Sequence, residues 1–113
     1  MRALVTGATG FVGSAVVRAL CAEGTSVRAF VRPGADLRAL AGLPVEPVVG
    51  DVRRYDSVWR AVRGCDVIYH VAAAYRLWGM SLDELTSVAA GGADNVLRAA
   101  ADHGGVERIV LTS

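Results

Sequence analysis

The sequence predicts an α/β fold, a doubly wound parallel sheet of five strands in the order 3-2-1-4-5 with helices on both faces. Two observations carry this. Short apolar runs bounded by glycine or proline alternate with longer stretches of helical periodicity, the pattern of βαβ units. A glycine-rich turn, TGATGFVG, joins the first apolar run to the first helical stretch.

The elements follow in chain order. Residues 2–6 (RALVT) form a short apolar run stopped by glycine, a buried strand. From Phe11 a helical spacing of Phe11, Val12, Ala15, Val16, Ala19 and Leu20 predicts one face toward the sheet, ending at Glu23 and Gly24. Residues 27–32 (VRAFVR) alternate as a second strand, closed by Pro33 and Gly34. One or two helical turns fit residues 36–41. Residues 45–49 are a third strand, and Pro47 suits it to a sheet edge. A short helix is predicted over 56–62 and a fourth strand over 66–71. A long helix is predicted over 82–103, with Leu82, Leu85, Val88, Gly92, Val96 and Ala99 or Ala100 along one face, stopped by Gly104 and Gly105. Residues 107–112 (ERIVLT) are the fifth strand.

The chain has 113 residues, one domain's worth, with 53% hydrophobic and 20% charged residues. That composition excludes disorder as the default. A formal net charge of +1 gives no field to recruit nucleic acid or a membrane surface. No apolar run reaches the roughly 18 residues of a membrane span, and the interrupted N-terminal run does not read as a signal peptide. Cys21 and Cys65 make neither a CxxC pair nor a zinc pattern, so no metal site is expected. They read as small hydrophobes in a soluble, cytoplasmic protein. All twelve basic residues are arginine.

The chemistry centres on the glycine turn. Gly7 permits a tight exit from the strand, Gly10 lets backbone approach a pyrophosphate, and Gly13 lets the helix pack closely on the sheet. Thr9, Phe11 and Val12 complete the loop and open the helix. The helix N-terminus favours phosphate charge. The alternative is a merely structural turn; a P-loop is excluded by the missing Gly-Lys-Ser/Thr.

With GDV at Gly50 to Val52 and HVAA at His70 to Ala73, the chain resembles the extended short-chain dehydrogenase/reductase superfamily, which has a Rossmann-type fold. That superfamily includes nucleotide-sugar epimerases, dehydratases and dihydroflavonol-reductase-like enzymes. AAAYRLWG (from Ala72) and NVLRAA (from Asn95) are particularly similar to the hopanoid-associated sugar epimerase group. The resemblance implies an NAD(P)-binding domain over 1–113, with the catalytic and substrate portion outside it. It assigns Gly7, Gly10 and Gly13 to the pyrophosphate, Asp51 and Val52 to the adenine ring, and Ala72 and Ala73 to the cofactor riboses. Asp51 is otherwise a plain turn or cap residue. His70 is expected to be structural.

Arg32 stands where an NAD-specific fold usually has Asp or Glu, and the next acid is Asp36. A guanidinium can fork onto a 2′-phosphate, which favours NADP over NAD, with Arg28 expected to assist. A solvated surface arginine is the alternative. Tyr75, Arg76 and Trp78 could contact substrate or form a packed loop.

The chain departs from the family twice. Ala89 and Ala93 stand where relatives carry Asn and Thr, and Gly91 and Gly92 each weaken a helix by about 1 kcal/mol. In relatives a Ser or Thr near the position of Ser113 is followed by Tyr-x-x-x-Lys, in which the Tyr is the general acid/base. Tyr-x-x-x-Lys and lysine itself are missing here. No catalytic residue is therefore assigned, and the chain alone is expected to be inactive. The reading is the cofactor-binding half of an epimerase, dehydratase or carbonyl reductase, homodimeric in the intact family. A stand-alone dinucleotide-binding or sensing module is the alternative.

Overall fold

The computed structural model describes residues 1–71 and 92–111. Five strands, β1 (Arg2–Thr6), β2 (Ser26–Val31), β3 (Val45–Val49), β4 (Val67–His70) and β5 (Arg108–Leu111), form one sheet. Its order is β3-β2-β1-β4-β5, and every pair is parallel. This is the predicted topology. β1 is central, with Val5 between Ala29 and Tyr69.

The helices are α1 (Phe11–Ala22), α2 (Tyr55–Val62) and α3 (Gly92–His103), with a 3-10 turn at Arg38–Leu40. Alternate residues of β1 face opposite layers. Ala3 and Val5 pack with Val17 and Leu20 of α1 and with Leu40. Leu4 packs with Val58, Ala61 and Val62 of α2 and with Val96 and Ala99 of α3. Covering both faces is why β1 and β4 read as near-continuous apolar runs, whereas β2 alternates through Arg28. Burying each such Val or Leu contributes about 1.5–3 kcal/mol before chain entropy is set against it. β3 lies at an edge, where Pro47 needs hydrogen-bond partners on one side only.

Two expectations are corrected. The buried face of α1 is Gly13, Ser14, Val17 and Leu20, while Phe11, Val12, Ala15 and Ala19 are exposed. The helix is apolar nearly all round, so periodicity does not choose its face. The close approach at Gly13 does. Arg28 does not assist Arg32, because its side chain is buried toward α2. Its Nη1 donates to the carbonyls of Ala61 and Arg63, each at 2.7 Å, and its Nε pairs with Glu46 at 3.0 Å. It thus ties the carboxyl end of α2 to the sheet.

Of the helix predicted over 82–103, residues 82–91 lie outside the described residues; Gly92–His103 is helical, with the predicted Gly92, Val96, Ala99 and Ala100 inward. No described helix is long and apolar enough to cross a membrane.

Candidate cofactor site

The carboxyl ends of β1, β2 and β3 bring the predicted residues to one edge of the sheet. At the end of β1 the chain turns through Gly7, whose φ of 61° is left-handed and favours glycine. The Gly10 N–H donates to the Gly7 carbonyl at 3.1 Å, closing the turn. Ala8 is fully buried and anchors the loop, and Thr9 is half-buried.

Gly10 caps α1 in an extended conformation, with φ −76°. No side chain caps this helix, and its first turn holds no acidic residue. The amides of Phe11, Val12 and Gly13 have no acceptor within the helix, and neither its cap nor its first turn supplies a counter-charge to the positive end of the dipole. That donor set fits a pyrophosphate. Phe11 is 92% exposed at the mouth of the loop.

A Cβ on Gly13 would sit 1.8 Å from the Gly7 carbonyl oxygen and 2.6 Å from its carbon. Gly13 therefore serves the loop itself as well as packing on the sheet. The helix start presses against the strand exit, and together they shape the cradle.

Thr6 closes the floor. Its hydroxyl accepts the Val71 N–H at 3.0 Å and pairs with His70 Nδ1 at 2.9 Å. This fastens the end of β4 to β1. Burial holds the His70 imidazole pKa below its ordinary value, which favours the neutral ring at pH 7.

Beyond β3, the Asp51 carboxylate receives the Arg53 backbone N–H at 2.9 Å and the Arg53 guanidinium at 2.8 Å. The Arg53 hydrogen bond, aided by the more distant charge of Arg32, lowers the Asp51 pKa and keeps it ionised. Arg53 Nε also reaches both carboxylate oxygens, at 3.1 and 3.2 Å, so a further donor would share the carboxylate with Arg53. Val52 is half-buried beside it.

Arg32 lies just past β2 and is exposed, and its side chain makes no hydrogen bond or ion pair among the described residues. Asp36 is held by Arg38, whose backbone N–H and Nε donate to it at 3.0 and 2.8 Å. This explains how a nearby acid leaves Arg32 unpaired.

Gly7, Thr9, Gly10, Phe11, Val12, Gly13, Arg32, Asp51 and Val52 thus share the carboxyl edge of the sheet. Ala72, Ala73, Tyr75, Arg76 and Trp78 lie outside the described residues. Asn95 escaped the sequence reading as a site-supporting residue. Its Nδ2 donates to the Val52 carbonyl at 2.9 Å. A polar residue on the inner face of an otherwise apolar helix was the available signal. No cluster of three metal-ligating side chains occurs among the described residues.

Comparison with known proteins agrees with this geometry. A family model described as NAD(P)H-binding matches residues 7–113. The chain is 43% identical over 113 residues to sterol demethylase protein B of Methylococcus capsulatus, covering all of this chain and 34% of that protein. It is 40% identical over 118 residues to a 3 beta-hydroxysteroid dehydrogenase/Delta 5→4-isomerase of Mycobacterium tuberculosis, covering 99% of this chain and 31% of that protein. A short-chain dehydrogenase/reductase superfamily protein from Agrobacterium tumefaciens, solved with bound NAD, superposes with a TM-score of 0.81. The identity is 34%, over 100% of this chain and 32% of that one. The chain spans about a third of the length of the curated relatives it matches. Loop, sheet order and relatives agree: the chain belongs to the NAD(P)H-binding family, as a Rossmann domain of the extended short-chain dehydrogenase/reductase type.

Proposed function

We propose that residues 1–113 are the cofactor-binding part of an NADP-preferring oxidoreductase acting on a carbonyl, sugar or related substrate. The observation that supports the cofactor reading most is the uncapped start of α1 behind Gly7 and Gly10, a set of amides suited to a pyrophosphate. A bound nicotinamide dinucleotide supplies hydride transfer. The residues of this chain bind and orient it. Gly7, Gly10 and Gly13 bring backbone to the phosphates and Asp51 and Val52 bound the adenine, while Ala72 and Ala73 are assigned to the riboses by the family resemblance alone. The Tyr and Lys that move the proton in relatives are missing from this sequence, so proton transfer belongs to the remainder of an intact protein. Free Cys21 and Cys65 fit a cytoplasmic setting, and a homodimer is the assembly proposed for the intact enzyme.

The NADP preference rests on Arg32, an exposed cation with Asp36 already claimed by Arg38. A forked contact to the 2′-phosphate contributes roughly 1.5–3 kcal/mol, a ten- to hundredfold preference. Titrating the chain with NADPH and NADH tests this. NADPH binds tighter, and Arg32→Ala removes most of the difference. Equal affinities in the unmutated chain refute it.

The second reading is a non-catalytic dinucleotide-binding or sensing module. Turnover of a carbonyl or nucleotide-sugar substrate by a longer chain that begins with these residues would exclude it.

A further inference from the structure

The first turn of α3 presses on the loop that carries Asp51 and Val52, although Asn95 and Val52 are 43 residues apart. Asn95 is buried, and its Nδ2 donates to the Val52 carbonyl at 2.9 Å. One turn earlier, a Cβ on Gly92 would lie 3.0 Å from Val52 Cγ2 and 3.3 Å from Val52 Cβ. These two positions are poor helix formers, and both are spent on one contact.

The rest of the loop is held as closely. Ser57 Oγ accepts the Asp51 N–H at 3.1 Å and lies 2.8 Å from the Asp51 carbonyl. A Cβ on Gly50 would be 2.5 Å from the Phe30 ring. The Asp51 N–H and the Asp51 and Val52 carbonyls are thus all engaged by α2 or α3, and Arg53 aims the carboxylate. A loop fixed beforehand loses little freedom when a ligand arrives.

We propose that Asn95 is a positioning residue for the adenine end of the dinucleotide. It holds Val52 so that the Asp51 carboxylate meets the 6-amino group of the base. This rests on the cofactor reading above. A residue that only packed α3 onto the domain would change stability without changing which base is preferred.

The full chain is titrated by fluorescence with NADPH and with its hypoxanthine counterpart, which has a carbonyl in place of the 6-amino group. A hydrogen bond to a carboxylate gives the unmutated chain about a tenfold preference for adenine. In Asn95→Ala the preference falls below about twofold, through weaker NADPH binding, while the hypoxanthine dinucleotide changes little. Both affinities come from one preparation, so a smaller folded fraction weakens both equally and cancels in the ratio. Asn95→Ser is the second variant, because its hydroxyl can turn to its own helix and abandon Val52. An adenine preference kept near tenfold in either variant overturns the proposal, as does no preference in the unmutated chain. Failure of the unmutated chain to bind either dinucleotide overturns the cofactor reading itself.

Discussion

Adding one methyl group at Gly13 sets two magnitudes against each other. Alanine in a helix interior is favoured over glycine by about 1 kcal/mol. Against that gain, the new Cβ would stand 1.8 Å from the Gly7 oxygen, 2.6 Å from the Gly7 carbon and 3.1 Å from the Ala8 Cα. All three are backbone atoms, so no side chain can rotate away. Ordinary contact begins near 3.4 Å, so helix or loop must move by roughly 1.5 Å. Such a shift pulls Val17 and Leu20 from the sheet and opens the turn that Gly7 and Gly10 close. Overpacking of this kind costs about 1–3 kcal/mol, and a rigid backbone places it at or above the upper end. The net expectation for Gly13→Ala is a loss of about 2 kcal/mol, lowering the midpoint of thermal unfolding by roughly 8 °C or more. Circular dichroism reads this directly. Ala19→Gly, on the exposed side of the same helix, measures the propensity contribution alone, about 1 kcal/mol. A Gly13→Ala protein as stable as the parent, or more so, would show that the loop and α1 are not packed as described.

Two further perturbations test the scaffold. Arg28→Ala strips donors from the Ala61 and Arg63 carbonyls and is expected to cost about 2–4 kcal/mol in chemical denaturation. Arg28→Lys recovers only part of this, since an ammonium cannot reproduce the fork, and a loss under about 0.5 kcal/mol for Arg28→Ala contradicts the assignment. Burial lowers the His70 pKa, so below pH 6.5 the unfolded chain takes up a proton that the folded chain resists. Stability should therefore decline as pH falls from about 6.5 toward the folded pKa, well before Asp51, itself lowered, is protonated. His70→Gln should flatten that decline, and an unchanged slope argues against a neutral buried imidazole.

The strands were legible because each is short, apolar and punctuated by glycine or proline. Their parallel order followed from alternation with helices. The face of α1 was not legible: Phe11, Val12, Ala15 and Ala19 are as apolar as Val17 and Leu20, and only the missing Cβ of Gly13 selects between them. Arg28 shares the parity of Arg32 along the strand. Whether it meets solvent or the end of α2 depends on a helix more than thirty residues away. The Gly7–Gly10 turn is local and was read from its spacing. The Asn95 bond to Val52 joins distant segments, and nothing near Asn95 in sequence announces its partner. Gly92, a weak point by helix propensity alone, turns out to face Val52 closely, where a side chain would be tight.

The central claim is that the Gly7–Gly10–Gly13 turn binds a dinucleotide through its backbone. Isothermal titration of the full chain with NADPH, beside Gly10→Val, tests it most directly. A branched side chain at Gly10 fills space that the pyrophosphate needs. The account predicts saturable one-site binding by the unmutated chain and none by a Gly10→Val protein whose circular dichroism shows it folded. Unchanged affinity in that folded variant, or no binding by the unmutated chain, would contradict it.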